Sequence, residues 1–336
     1  MNIKNYKSVI IFLFLIPLSI LICAFVYIFE TQNKQLESKQ IIIFSSNLTH
    51  SANSLIHTIQ IERGLSSGFV ALKDTDSTKK EKLLKQQKIT DKFYAQFKHM
   101  VQNKQKQIFL NKLIQDKKIL LEVDNEMQKI KSLRDGVFSH TVGFDDVIKY
   151  YSNINAKLLN VIHNFAIFDT KNNYEAILIY DIETLKENLG LQRAYIYNQL
   201  LCQKYNKIKK TKELSTIQNT QRNILLLDST PKIQELYNNF IDKDSIDEIK
   251  SFKEDFFSKK LKQEDAQRWF RLSTNFIDRY EALSINISDI YIKNIEQKYN
   301  NAQHLLYLTV SLFVFSTILL FVVFYILNKI LLRCKE

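Results

Sequence analysis

Glycine and proline punctuate helices, and this chain has few of either: five glycines and two prolines in 336 residues. Pro17 sits in an apolar run near the start. Pro231, Gly64, Gly68, Gly136, Gly143 and Gly190 are all that the middle of the chain contains. With no strand-like alternation of apolar and polar residues either, this scarcity predicts helix nearly throughout. Cysteine is equally sparse. Of Cys23, Cys202 and Cys334, only Cys202 falls in the middle region, so no disulfide can form within it. No C-x-x-C, H-E-x-x-H or acidic calcium-loop pattern occurs, so no metal is expected. His50 and His57 share a helix face, where a packed or exposed histidine is the commoner outcome. No nucleophile-and-base constellation or phosphate loop marks an enzyme, and no cofactor is implied.

Charge is missing from two long runs. Ser8–Phe29 is 22 residues and Leu305–Leu327 is 23 residues without a charged side chain, and either suffices for a helix to cross a hydrocarbon core of about 30 Å. The first run is longer than the roughly 7–15 apolar residues of a secretory signal, and ICAFVYIFE has no A-x-A cleavage site. It reads as an uncleaved anchor, with a kink expected at Pro17. Lys4 and Lys7 precede the first run, and Lys329, Arg333 and Lys335 follow the second, which places both ends in the cytoplasm. The expected organisation is a cytoplasmic tail (1–7), a span (8–29), an extracytoplasmic or periplasmic helical domain (30–303), a second span (304–328) and a short cytoplasmic tail (329–336). The protein is thus expected to pass twice through the cell (inner) membrane. The net charge of +12 raises the question of nucleic acid. Its basic residues are interspersed with acids along helices and form no single stripe, which argues against such a partner.

Within the middle region the first helix should run on to about Leu72 and turn at DTDST, with one or two helices following over 78–133. RDGVFSHTVGFDD breaks the pattern. DVIKYYSNINAKLLNVIHNF and YEAILIYDIETLKENLGLQRAYIYNQLL then form two long helices. LDSTPKIQEL stops and restarts the chain, with Thr230 as N-cap and Pro231 in the first helical position. The last helix should begin near Glu264 and feed into the second span. Packed helical bundles bury so many apolar stripes economically, so the fold class is all-α.

One stretch departs from this grammar. IERGLSSG, residues 61–68, holds two of the five glycines four residues apart, although each costs about 1 kcal/mol inside a helix. Gln60, Arg63 and Ser67 recur at i, i+3 and i+7 as a polar strip, with Gly64 and Gly68 stacked beside it. LKENLGLQRA repeats the theme: Gly190 and Arg193 are three apart, and Lys186 lies on the same flank. A missing side chain lets a neighbouring helix or a ligand approach the backbone. Guanidinium forks match planar oxyanions, so two of them around a small gap suit nitrate, nitrite or a carboxylate. Two other readings stay open: Arg63 pairs with Glu62 or Glu187, and the glycines mark a tight helix crossing without a ligand.

QIERGLS at 60–66 and KENLGLQRA at 186–194, with KQQKITDKF, KSLRDGV, YYSNINAKLLNVI and RWFRLSTNFID, occur in the order found in the nitrate- and nitrite-sensing family, called NIT. The chain resembles that family from about residue 45 to 285. One position departs: many members place an arginine two residues after the threonine of the closing motif, where this chain has Phe276 after Thr274 and Asn275. Arg271 and Arg279 are the nearest candidate substitutes.

The resemblance implies a sensor of two four-helix-bundle-like units flanked by the two transmembrane helices. It implies binding of nitrate or nitrite between helices, with Arg63 and Arg193 as the motif arginines. Gln60, Ser67 and Lys186 join them as ligand candidates from helix geometry, and Gly64, Gly68 and Gly190 are the packing glycines. A homodimer is expected by analogy with two-span receptors, and a separate, unidentified signalling partner is expected because only NKILLRCKE follows Leu327. The alternative is a membrane-anchored interaction module or truncated receptor remnant with a degenerate pocket.

Overall fold

The computed structural model describes residues 3–72, 77–103, 107–113, 118–168 and 174–333, with side chains from 11 to 330. The described residues form ten helices and no strand: α1 (Ile3–Leu72), α2 (Ser77–Gln102), α3 (Gln107–Leu113), α4 (Lys118–Phe138), α5 (Phe144–Phe168), α6 (Glu175–Cys202), α7 (Ile208–Leu227), α8 (Pro231–Phe240), α9 (Lys243–Phe257) and α10 (Asp265–Arg333). The protein is all-α, as the shortage of glycine and proline implies.

The ends of the elements follow local chemistry. α1 ends at Leu72 and passes through Pro17 as one helix. Thr230 caps α8 by accepting from the Ile233 amide, with Pro231 at the first helical position; that proline lacks the N–H that would otherwise stand unpaired there. Asp242 caps α9 through the Ser245 amide. Three helices occupy the stretch where one or two were expected, and the third extends to Phe138, through Gly136. The ends at Gln102 and Leu113 adjoin polar stretches with no glycine or proline, so punctuation does not reveal them. Most of the expected DTDST turn, Cys334 and Lys335 fall outside the described residues, as do the side chains of Lys4, Lys7 and Arg333.

Residues 44–292 form one compact unit. One group of helices buries Leu48, Leu55, Ile56 and Ile59 of α1 with Leu83, Val123, Tyr151, Ile154 and Leu158 of α2, α4 and α5. The α1 positions recur at helical spacing and make one apolar stripe. The other group packs Ile182, Leu189 and Ile196 of α6 with Tyr237, Phe252, Trp269, Ile277 and Leu283 of α8–α10. α1 and α6 meet where the polar motifs lie.

The described residues of 1–43 and 293–336 form the other unit. In it Phe25 stacks on Phe313 with ring centroids 4.0 Å apart, and Gln32 Nε2 donates to Thr309 Oγ1 at 3.1 Å. Many of its apolar residues, among them Phe12, Leu13, Phe315 and Ile318, are exposed, while Ile41, Ile42 and Ile295 are buried. α1 and α10 each contain a segment long and apolar enough to cross a membrane.

Candidate anion site between α1 and α6

Arg63 and Arg193 are both buried, at 0% and 1% exposure, although each carries a permanent charge. Each guanidinium lies against the other helix's glycine. A Cβ on Gly190 of α6 would stand 2.9 Å from Arg63 Nη2, and one on Gly64 of α1 would stand 3.4 Å from Arg193 Nε and 3.0 Å from the Phe270 ring. This reciprocal clearance explains why glycine is tolerated at both places despite its cost in a helix. Gly68 makes room for the Tyr197 ring in the same interface.

Arg63 forks onto Glu187 of α6, with Nη1 on Oε1 and Nη2 on Oε2, and Nη1 also donates to Ser152 Oγ at 2.9 Å. Gln60 Nε2 and Asn155 Nδ2 donate to the same Glu187 oxygen, at 3.1 and 2.8 Å. Three side chains from α1 and α5 therefore converge on one carboxylate. Among the described residues no carboxylate is in hydrogen-bond contact with Arg193: Nη2 donates to the Gln60 carbonyl at 2.8 Å and Nη1 to Thr274 Oγ1 at 2.9 Å. Its guanidinium carbon lies 5.2 Å from the centre of the Phe270 ring, a cation–π contact. Trp269 Nε1 donates to the Arg193 carbonyl at 3.0 Å. Burial, and then the charge of Arg63, bring the Arg193 pKa down to about 10. Among the described residues, the Nε–H of both arginines and the side-chain oxygens of Gln60 and Asn155 have no hydrogen-bond partner, an arrangement rare in a buried layer.

Glu62, next to Arg63 in sequence, points elsewhere. It receives Arg134 of α4 through Nε at 2.8 Å and Nη2 at 3.0 Å, and the Tyr151 hydroxyl at 2.7 Å. Of the two acids open to Arg63, Glu187 is the partner. Glu62 and Asp91 raise the pKa of Arg134 against the pull of burial, and burial followed by Glu62 pushes the Tyr151 phenol up.

The structure brings Gln60, Arg63 and Arg193 together. Ser67 donates to the Arg63 carbonyl at 2.6 Å, within its own helix. Lys186 sits in an adjoining cluster, bonded to Glu183 Oε2 at 2.8 Å and to Glu281, with Ser284 donating to Glu183 at 2.8 Å. Burial pulls the Lys186 ammonium down, but Glu183 and Glu281 together outweigh it and hold it above its ordinary value. Burial, with Glu281 nearby, pushes Glu183 up. Neither candidate substitute for the missing closing-motif arginine joins the pair. Arg279 bonds to the Phe240 carbonyl and Asp242, and Arg271 is exposed. Phe276 packs edge-on against Tyr280.

His57 borders this layer, 3.8 Å from Asp278 and 3.9 Å from Glu281. Burial dominates over Glu281, and Lys186 and Arg193 add to it, so its pKa falls to about 4. A histidine that resists protonation when folded but accepts a proton near 6.5 when unfolded stabilises the fold above that pH. The contribution is lost as pH falls through that window toward 4, by at most about 3 kcal/mol. The stability difference between the native chain and His57→Gln, followed by denaturation from pH 7 to pH 4, is expected to shift accordingly. Parallel curves would sink this assignment.

A family model described as nitrate and nitrite sensing matches residues 54–290. The chain belongs to this family. The match spans the α1, α6 and α10 motifs that build the arginine layer. The solved structure of the NasR transcription antiterminator resembles the chain with a TM-score of 0.68 at 13% identity, covering 86% of this chain and 83% of that one. At that identity the likeness speaks for the fold alone. No curated protein matches the chain in sequence. Both arginines of this layer stand out in the sequence by their glycine spacing. Asn155 and Ser152 do not, because their part depends on how α5 packs and leaves no local signal.

Proposed function

We propose that this NIT protein is a two-pass receptor of the cell membrane that binds nitrate or nitrite in the arginine layer of an extracytoplasmic domain, residues 30–303. One observation carries the reading: two buried guanidiniums on separate helices, cleared by each other's glycines, hold unused Nε–H donors, and among the described residues a carboxylate, Glu187, is hydrogen-bonded to Arg63 alone of the two. A planar oxyanion accepts from such donors in its own plane. Gln60 and Asn155 are placed to orient it. Ser67 and Lys186 act beside this core, Lys186 through its neighbouring acids. Binding shifts α6 relative to α1 and α10, and both of these helices contain a candidate membrane span, so the shift passes to a partner across the bilayer. The role is sensory and non-enzymatic, without cofactor, metal or nucleic acid.

Calorimetry of the full chain in detergent tests this reading. Nitrate or nitrite is expected to give saturable heat that disappears in the Arg63→Ala, Arg193→Ala variant. No heat at millimolar anion from a folded chain assigns the protein to the second reading, a membrane-anchored interaction module whose pocket is filled by its own side chains. The occupation of Arg63 by Glu187 favours that alternative.

The receptor works as a homodimer. Single cysteines placed along 30–43 of α1, in a chain without the native cysteines, are expected to crosslink between copies with helical periodicity. A chain that stays monomeric at every concentration refutes the dimer.

A further inference from the structure

The second helix group holds a cleft that the arginine layer does not use. Its walls come from α6, α7, α9 and α10, and its volume is about 380 Å³, within the range of roughly 300–1,000 Å³ for small-molecule sites. Leu189, Ile249, Phe276 and Tyr280 give it an apolar surface, while Arg222, Lys250 and Lys253 bring three cations to it against one acid, Glu254. Among the described residues, none of the three cations forms an ion pair. Lys253 is partly buried all the same, and burial followed by the charge of Arg222 draws its pKa down to about 8. Gln218, 4% exposed, lines the same cleft. Its Nε2 donates to the Asn188 carbonyl at 2.9 Å, and its Oε1 has no hydrogen-bond partner among the described residues.

These groups describe a ligand by complement. Unpaired cations beside an apolar surface favour an anion with a hydrophobic body, because a bare inorganic oxyanion leaves that surface unsatisfied. A buried acceptor without a donor calls for a hydroxyl or N–H on the ligand. We propose that this cleft is a second ligand site, taking a small organic acid with a ring-sized apolar body and a hydrogen-bond donor. The acid group is held by Arg222 and Lys253, the body by Phe276, Tyr280, Leu189 and Ile249, and the donor by Gln218 Oε1. The site is independent of anion binding at Arg63 and Arg193 and shares no residue with it.

The test uses the full chain in detergent micelles and 4-hydroxyphenylacetate as probe, with its neutral amide as control, read by equilibrium dialysis. The acid is expected to bind saturably and at least tenfold more tightly than the amide. Arg222→Gln with Lys253→Gln is expected to weaken the acid at least tenfold while the helical circular dichroism is unchanged, and Lys253→Arg is expected to retain binding. Absence of saturable acid binding overturns the proposal. Equal binding of acid and amide, or native-like binding by the folded double variant, also overturns it. The comparison of acid with amide uses the native chain, so it decides the matter even where the double variant does not fold.

Discussion

Replacing Arg63 by alanine is expected to remove about 3–5 kcal/mol of folding stability, the usual cost of taking one partner from a buried ion pair. The reason lies in Glu187, which is 8% exposed and whose two oxygens accept from Arg63. With Arg63 absent, Gln60 and Asn155 still donate to it, but neither carries the charge that compensates a desolvated carboxylate. The measurement is chemical denaturation of the full chain, followed by helical circular dichroism. Arg63→Met combined with Glu187→Leu should recover only part of the loss: removing both members of a buried pair is often nearly neutral, but here Gln60 and Asn155 lose the acceptor they share. A loss below about 1 kcal/mol for Arg63→Ala shows that water reaches the layer and that the pair is not desolvated.

Glu187→Gln is expected to tighten nitrate binding at least tenfold. In the proposed receptor the carboxylate occupies the fork of Arg63 that a planar oxyanion would use, and it repels any anion placed nearby. At about 4 Å, with an effective dielectric constant of about 20, that repulsion amounts to roughly 4 kcal/mol, and a third of it already corresponds to tenfold. Glutamine keeps the shape and one acceptor for Arg63 while removing the charge. Calorimetry of the native and variant chains with nitrate decides the question. Equal or weaker binding by the variant shows that Glu187 does not compete for the seat.

Much of this was legible because it is local. Thr230 and Pro231 announce the start of α8, and the long first helix running on to Leu72 follows from the absence of any proline between Pro17 and Leu72. Arg63 and Arg193 stood out because glycine in a helix is costly and two helices bore the same cost beside an arginine. Partners across helices were less legible. Glu62 and Glu187 were equally plausible acids for Arg63. Successive residues on a helix are rotated by about 100°, so Glu62 points to Arg134 of α4 while Arg63 points to α6. That choice needs the relative placement of three helices. The unused donors and acceptors of the layer are likewise a property of packing, since each residue type alone finds partners easily.

The convergence of Arg63, Gln60 and Asn155 on Glu187 means that the layer carries its own internal carboxylate ligand. A tethered carboxylate behaves as an intramolecular competitor with a constant effective concentration, independent of the medium. The external anion level at which the proposed receptor responds is then set by the reach of one glutamate side chain as much as by the intrinsic affinity of the arginines. Detection threshold becomes a tunable quantity: shortening that side chain by one methylene, as in Glu187→Asp, resets the dose at half-response without touching a residue that holds the anion.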